Sequence, residues 1–173
     1  MNSWENLVAK ARKLSKELGL AATKTAVKIE PEPDFMIPVE LYGSTRDNIE
    51  QVCKQINRSY YRDIPDGAAV LARKVIEMLL ILSFKHFNVE ALIKDPVDGN
   101  YFELSKIVKE AVQNTTLDLS RNAKEYLEIF REKGNLSAHN PFHMSNLKEL
   151  ERLQPKLRHL FEELLFKSGI RTA

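Results

Sequence analysis

The segment 68–87 constrains the fold more than any other part of the chain. Its apolar residues fall on nearly every side of the helix that their spacing predicts. Between residues 68 and 82, only three charged residues interrupt the run: Arg73, Lys74 and Glu77. A helix that is apolar all round is stable in water only when other elements surround it. The chain is therefore predicted to fold around this segment as a central helix.

The chain from residue 44 onward keeps this helical character. Apolar residues recur at three- and four-residue spacing in segments 45–60, 101–113, 119–130 and 144–167. Turn-forming residues at 63–67 and 95–100 separate them. The last segment carries a near-continuous leucine stripe, which Pro155 is expected to kink or to divide. The pattern predicts an all-α, up-and-down helical bundle, with one short strand or hairpin near 36–42.

The first 43 residues have a different organisation. Residues 3–18 have helical spacing, and Gly19 is a natural stop. Two prolines within 28–34 preclude a helix there and favour an extended linker. We therefore predict two regions: an appended N-terminal helix with its short linker over 1–43, and the bundle over 44–173.

Composition narrows the class of protein. A chain of 173 residues fits a single folded core. No window approaches the run of about 18 apolar residues that a membrane helix needs, and no signal region opens the chain. The single cysteine, Cys53, excludes an internal disulfide and a Cys-rich zinc site, and lies on an apolar helix face. A cytoplasmic protein without membrane contact or cofactor is expected.

One stretch, 127–140, combines small and polar residues in a helical rhythm. One face would carry, in order, Ala123, Leu127, Phe130, Gly134 and Ala138. Glycine inside a helix is less favourable than alanine by up to about 1 kcal/mol, so such a position usually has a packing or functional reason. Gly134 and Ala138 are predicted to let a neighbouring helix approach closely. Together with the leucine stripe of 147–165, this face predicts a homodimer.

A polar strip follows the same rhythm one position later. It contains Glu128, Arg131, Asn135 and His139. Arg131 could hold a phosphoryl group through its planar pair of donors, and His139 could move a proton. A structural interpretation also fits, in which Arg131 bonds Glu128 while Asn135 and His139 cap the helix end. Spacing leaves both interpretations open.

Two further pairs of residues are candidates for binding. Arg73 and Glu77 lie four apart on the central helix, where they would orient the strip or form an internal salt bridge. Arg121 and Asn122 would contact phosphate or simply begin an exposed helix. His143 lies between two predicted helices and is expected at the surface.

The segments 67–80 (GAAVLARKVIEMLL) and 131–140 (REKGNLSAHN), in this order, resemble the HEPN superfamily. Ile56 and Asn57, the run 120–122 (SRN) and the run 137–140 (SAHN) add to the resemblance, which covers about 44–168. The chain is most similar to a bacterial branch of uncharacterised HEPN-like domains, of the abortive-infection and restriction-associated type.

The resemblance implies a bundle that dimerises and, in active members, a metal-independent ribonuclease of toxin–antitoxin or phage-defence systems. Their signature of an arginine followed by a histidine maps onto Arg131 and His139, which meet their counterparts at the dimer interface. The implied binding residues around them are Asn135, Ser137, Asn140 and Lys133. Seven residues separate Arg131 from His139, more than the family signature has. Lys133 stands at a shorter spacing but is a point charge without the arginine fork.

Two functions follow from these observations. The first is a non-catalytic HEPN-like module for dimerisation or for binding RNA or a protein, such as an antitoxin or a nucleotidyltransferase. The alternative is a ribonuclease in which the ribose 2′-hydroxyl attacks the adjacent phosphate, with His139 carrying the proton and Arg131 stabilising charge. The long spacing slightly favours the first.

Overall fold

The computed structural model describes residues 9–10, 13–14 and 34–171. The chain divides into two compact units, Met1–Pro31 and Glu32–Ala173. Residues 9–10 and 13–14 are helical. The rest of the helix predicted at 3–18, and the linker predicted at 28–34 up to residue 33, lie outside the described residues.

Between residues 34 and 171 the protein is all-α, as predicted. The helices are α1 (Val39–Tyr42), α2 (Asp47–Tyr61), α3 (Pro65–His86), α4 (Leu104–Gln113), α5 (Arg121–His139) and α6 (Leu147–Lys167), with a 3-10 turn at Glu90–Ile93. In this described range the only β-type pairing is an isolated bridge between Lys94 and Tyr101.

Helix α3 is the central helix that the sequence predicts. It packs against α2, α4, α5 and α6. Its buried side chains cover about half of its circumference and include Ala69, Ala72, Val75, Leu79 and Phe84. The other half carries partly buried apolar side chains that pack against the core. Burying each large apolar side chain contributes about 1.5–3 kcal/mol, so the packing of α3 is a principal source of the bundle's stability.

Helix α6 buries its leucine stripe inside the same core. Leu150, Leu157, Leu160 and Leu164 are almost inaccessible to solvent. The helix is continuous through Pro155, so no new segment begins there. Because the stripe is used within the bundle, it does not supply the surplus apolar surface on which the prediction of a dimer rested.

The strand or hairpin predicted near 36–42 is wrong. Val39–Tyr42 is a short helix, and the preceding Met36 and Ile37 are held by a side chain of α2. The Oδ1 atom of Asn57 accepts hydrogen bonds from the backbone N–H groups of Met36 and Ile37, at 2.9 and 3.0 Å. Its Nδ2 donates to the carbonyl of Ile37 at 2.8 Å. These contacts make the segment part of the bundle core, within the unit Glu32–Ala173.

Cys53 is a core residue, as predicted. Its side chain is fully buried. Burial, with a smaller contribution from Glu50, raises the pKa of its thiol to about 12. A thiol held in the protonated form is a poor nucleophile.

Candidate functional site

Helix α5 carries the candidate site. It begins at Arg121, where the Ser120 side chain accepts a hydrogen bond from the Ala123 N–H at 3.1 Å, and it ends at His139. The helix predicted at 119–130 therefore extends by nine residues. In this way Arg131, Asn135 and His139 stand on one continuous helix, each turned by about 40° from the one before.

Arg131 makes the contact that the structural interpretation predicts. Its Nε donates to Glu128 Oε2 at 2.7 Å. The Arg131 side chain is 31% exposed and that of Glu128 is 50% exposed, so the ion pair lies at the surface, where it contributes little to stability. Within the described range no other polar contact of Arg131 is found, which leaves its terminal nitrogens accessible.

Asn135 and His139 do not cap the helix end. Both side chains are exposed, and neither makes a hydrogen bond to any residue that the structure describes. The end is closed by the backbone, since the N–H of Asn140 donates to the Leu136 carbonyl at 3.0 Å. The two side chains therefore remain available along one open face of α5, about 12 Å from end to end between Arg131 and His139.

Gly134 has a close neighbour within the chain, whereas Ala138 is exposed. A Cβ added at Gly134 would lie 2.5 Å from the Cβ of Arg73 and 3.1 Å from the carbonyl oxygen of Ala69. The prediction of a close approach at Gly134 is confirmed, and the neighbour is the protein's own α3. Ala138 is exposed, so no helix among the described residues covers it.

Arg73 is brought to this crossing, but not into the salt bridge that its spacing from Glu77 predicts. No ion pair joins the two half-buried side chains. The stem of Arg73 lies against Gly134, and its Nε is buried without a hydrogen-bond partner among the described residues. An unpaired buried donor of a charged group is costly, so Arg73 retains capacity for an additional acceptor.

Arg121 and Asn122 do not join the strip. Both are exposed in the first turn of α5. At 1.5 Å per residue, Arg121 lies about 27 Å along the helix from His139. The helix-start interpretation fits them, and they cannot contact the same phosphate as His139 within one protomer.

Lys133 points away from the strip. It is turned by about 200° around the helix from Arg131. Its side chain is 7% exposed, and its Nζ donates to Glu149 Oε2 on α6 at 2.6 Å. This contact holds the ammonium group against α6, away from the face that carries Arg131.

A polar network that the sequence does not reveal joins α3, α5 and the loop before α6. The Nε2 atom of His143 lies 3.2 Å from Lys133 Nζ and 3.3 Å from Ser145 Oγ. Ser145 Oγ is 2.9 Å from Ser137 Oγ, and the Ser145 N–H donates to Asp66 Oδ1 at 3.1 Å. His143 is half-buried, so the prediction that it lies at the surface is correct only in part.

Two predicted binding residues thus have structural contacts. Ser137 belongs to the polar network, away from the strip. Asn140 shapes the loop, because its Oδ1 accepts the N–H of Phe142 at 3.0 Å. The alternation of apolar and polar residues over 142–145 predicts the opposite arrangement, with Phe142 and Met144 buried, so this pattern could not have revealed the network.

Asp66 gives this network a dependence on pH. Burial raises the pKa of its carboxyl group, but hydrogen bonds from Ser145 and Ser137 outweigh burial and leave the pKa below its ordinary value of 3.8. A depressed pKa means that the ionised form stabilises the fold above about pH 4. This stabilisation is lost as the pH falls through the lowered pKa.

We therefore expect Asp66→Asn to lower the free energy of unfolding at pH 7. The deficit relative to the parent protein should shrink as the pH falls below about 4, because the carboxyl takes up its proton in the unfolded parent at a higher pH than in the folded parent. Urea unfolding followed by circular dichroism between pH 7 and 3 measures both effects. Asp63→Asn, at an exposed carboxylate in the preceding turn, is the matched control. A deficit that is constant across this range would contradict the assigned role.

The described residues contain no group of three or more His, Cys, Asp or Glu side chains placed to hold a metal ion. Among the helices of this described part, none combines the length with the hydropathy that a membrane span requires. Comparison with family models, with curated proteins and with solved structures finds no significant match.

Proposed function

We propose that this chain is a HEPN-like, non-catalytic binding module that holds RNA on the open face of α5. The observation that carries the proposal is the exposure of Asn135 and His139 beside Arg131, on one face of one helix. Arg73, whose Nε is buried without a partner among the described residues, packs against Gly134 on the neighbouring, buried side of α5. The resemblance adds a second copy of the chain and a defence or toxin–antitoxin setting, in which an antitoxin or nucleotidyltransferase is the expected protein partner.

The chemistry of these side chains suits a phosphodiester chain. Arg131 presents its terminal guanidinium nitrogens to phosphate oxygens while Glu128 fixes its Nε. Asn135 offers an amide that both donates and accepts, and His139 donates to phosphate or ribose oxygens. Such a face gives binding that depends strongly on salt, because each phosphate contact releases counterions.

Binding is favoured over cleavage by the surroundings of Arg131. The Glu128 carboxylate, 2.7 Å from Arg131 Nε, partly neutralises the charge that a transition state would need. Lys133, the one other cation near the family spacing, is committed to Glu149. The ribonuclease alternative is favoured by a different observation: His139 is exposed and makes no hydrogen bond within the described range, so its imidazole remains free to carry a proton.

We expect Arg131→Gln and His139→Ala each to weaken binding of single-stranded RNA about 5- to 10-fold, the loss of one charge-assisted or polar contact. Fluorescence anisotropy with a labelled oligonucleotide at low and moderate salt measures the affinity. Arg121→Gln removes an exposed arginine at the far end of the same helix and should leave affinity nearly unchanged. Equal losses in all three variants would show non-specific charge attraction and would contradict a site on this face.

Cleavage is tested on the same RNA in the presence of a chelator. We expect the oligonucleotide to remain intact on a denaturing gel. Cleavage by the parent protein that disappears in His139→Ala would replace the binding module with the ribonuclease alternative.

A further inference from the structure

The loop between α5 and α6 presents two apolar side chains to solvent. Phe142 is 94% exposed and Met144 is 85% exposed. We call them the apolar pair. The residues that alternate with them, His143 and Ser145, point inward. His143 contacts Lys133, and Ser145 bonds Ser137 and Asp66.

These inward contacts hold the apolar pair in its exposed position. Because His143 and Ser145 are held by α3 and α5, the loop cannot turn over and place Phe142 against its own bundle. At about 200 Å² for a large side chain, the apolar pair exposes roughly 350 Å², which is comparable to the largest patch of a typical monomer. Apolar patches of this size are often functional.

A groove of about 340 Å³ lies between the two helices that this loop connects. Its apolar lining comes from Ile129 and Leu136 of α5 and from Leu153 of α6. The ion pair of Lys133 with Glu149 also lines it. Glu132 and Arg152 contribute opposite charges to the lining, and neither has an ion-pair partner in the described part of the chain. We call this the α5–α6 groove.

We propose that the apolar pair of one copy of this chain occupies the α5–α6 groove of a second copy, and reciprocally. This inference rests on the self-association included in the proposed function and assigns its surface. The occupant is a second copy because the protruding side chains and an apolar recess of matching chemistry lie next to each other on one chain. A two-fold axis beside the loop joins both at once and closes the assembly.

The charges agree with this arrangement, and the area indicates a weak dimer. Two apolar pairs and the small lining of the two grooves would bury roughly 900 Å², below the 1,200–2,000 Å² of stable, specific interfaces. The two-fold axis also allows Glu132 and Arg152 to pair between copies. The face predicted from the sequence is unavailable, because Gly134 and the leucines of α6 are used inside the bundle.

The experiment compares three variants of the full chain by sedimentation at about 100 µM, a concentration suited to micromolar affinity. The first removes the apolar pair (Phe142→Ser with Met144→Ser), and the second fills the groove (Leu136→Lys). We expect the parent to sediment as a dimer and both variants as monomers. Val97→Ser is the matched control, because Val97 is also 94% exposed but lies beyond the opposite end of α3; it should remain a dimer.

Mixing the two monomeric variants gives the decisive result. In a mixed dimer, the apolar pair of the Leu136→Lys chain can still occupy the intact groove of the chain that lacks the apolar pair. This one contact should restore part of the dimer. A monomeric parent would overturn both this surface and the self-association on which it rests. Variants that remain dimers, or a mixture that stays monomeric, would overturn this surface alone. Circular dichroism checks folding, and Ile129→Lys replaces Leu136→Lys if the latter melts early.

Discussion

Replacing Asn57 with leucine is expected to lower the free energy of unfolding by about 3–5 kcal/mol, since each buried polar group left without its partner costs about 1–3 kcal/mol. Asn57 is 2% exposed. The substitution removes the partners of three backbone groups, the N–H groups of Met36 and Ile37 and the carbonyl of Ile37. Leucine has nearly the same size, so the loss would come from these hydrogen bonds.

Urea unfolding followed by circular dichroism measures this change as a shift of the midpoint at an unchanged slope. Gln55→Leu is the control, because Gln55 is exposed on the same helix and should change stability by no more than about 0.5 kcal/mol. A loss below about 1 kcal/mol in Asn57→Leu would mean that residues 36–37 do not depend on this side chain.

The second large effect is expected at Gly134. In Gly134→Leu the new Cβ would fall 2.5 Å from Arg73 Cβ and 3.1 Å from the Ala69 carbonyl oxygen. Neither atom is the free end of a flexible side chain, so α3 and α5 must separate. Overpacking of this kind lowers the free energy of unfolding by about 1–3 kcal/mol or more. The higher helix propensity of leucine offsets up to about 1 kcal/mol of this loss. We expect a net loss of about 2 kcal/mol.

Ala138→Leu tests the same helix four residues later, at an exposed position. It should be neutral within about 0.5 kcal/mol. Thermal and urea unfolding of the two variants measure the difference. Equal effects at both positions would contradict the crossing of α3 and α5 at Gly134.

The parts of the fold that depend on periodicity could be predicted from the sequence. The central helix, its flanking helices and the close approach at Gly134 follow from apolar spacing and from the cost of a glycine in a helix. The segment 36–42 could not, because its conformation depends on Asn57, which is 20 residues away in the chain.

The candidate site was predictable only in part, for the same reason. The open face with Arg131, Asn135 and His139 follows from four-residue spacing on one helix. The polar network does not, since Ser145 and Asp66 are 79 residues apart in sequence. The rule that charges four residues apart pair on a helix is wrong for Arg73 and Glu77, because the stem of Arg73 packs on Gly134 of another helix.

Two measurements on one preparation of His139→Ala decide whether the open face of α5 binds RNA. Because His139 is exposed and makes no hydrogen bond to the described residues, its removal should leave the melting temperature unchanged. The RNA affinity should fall about 5- to 10-fold relative to the parent. Unchanged affinity together with a lower melting temperature would contradict the account and would make His139 a structural residue.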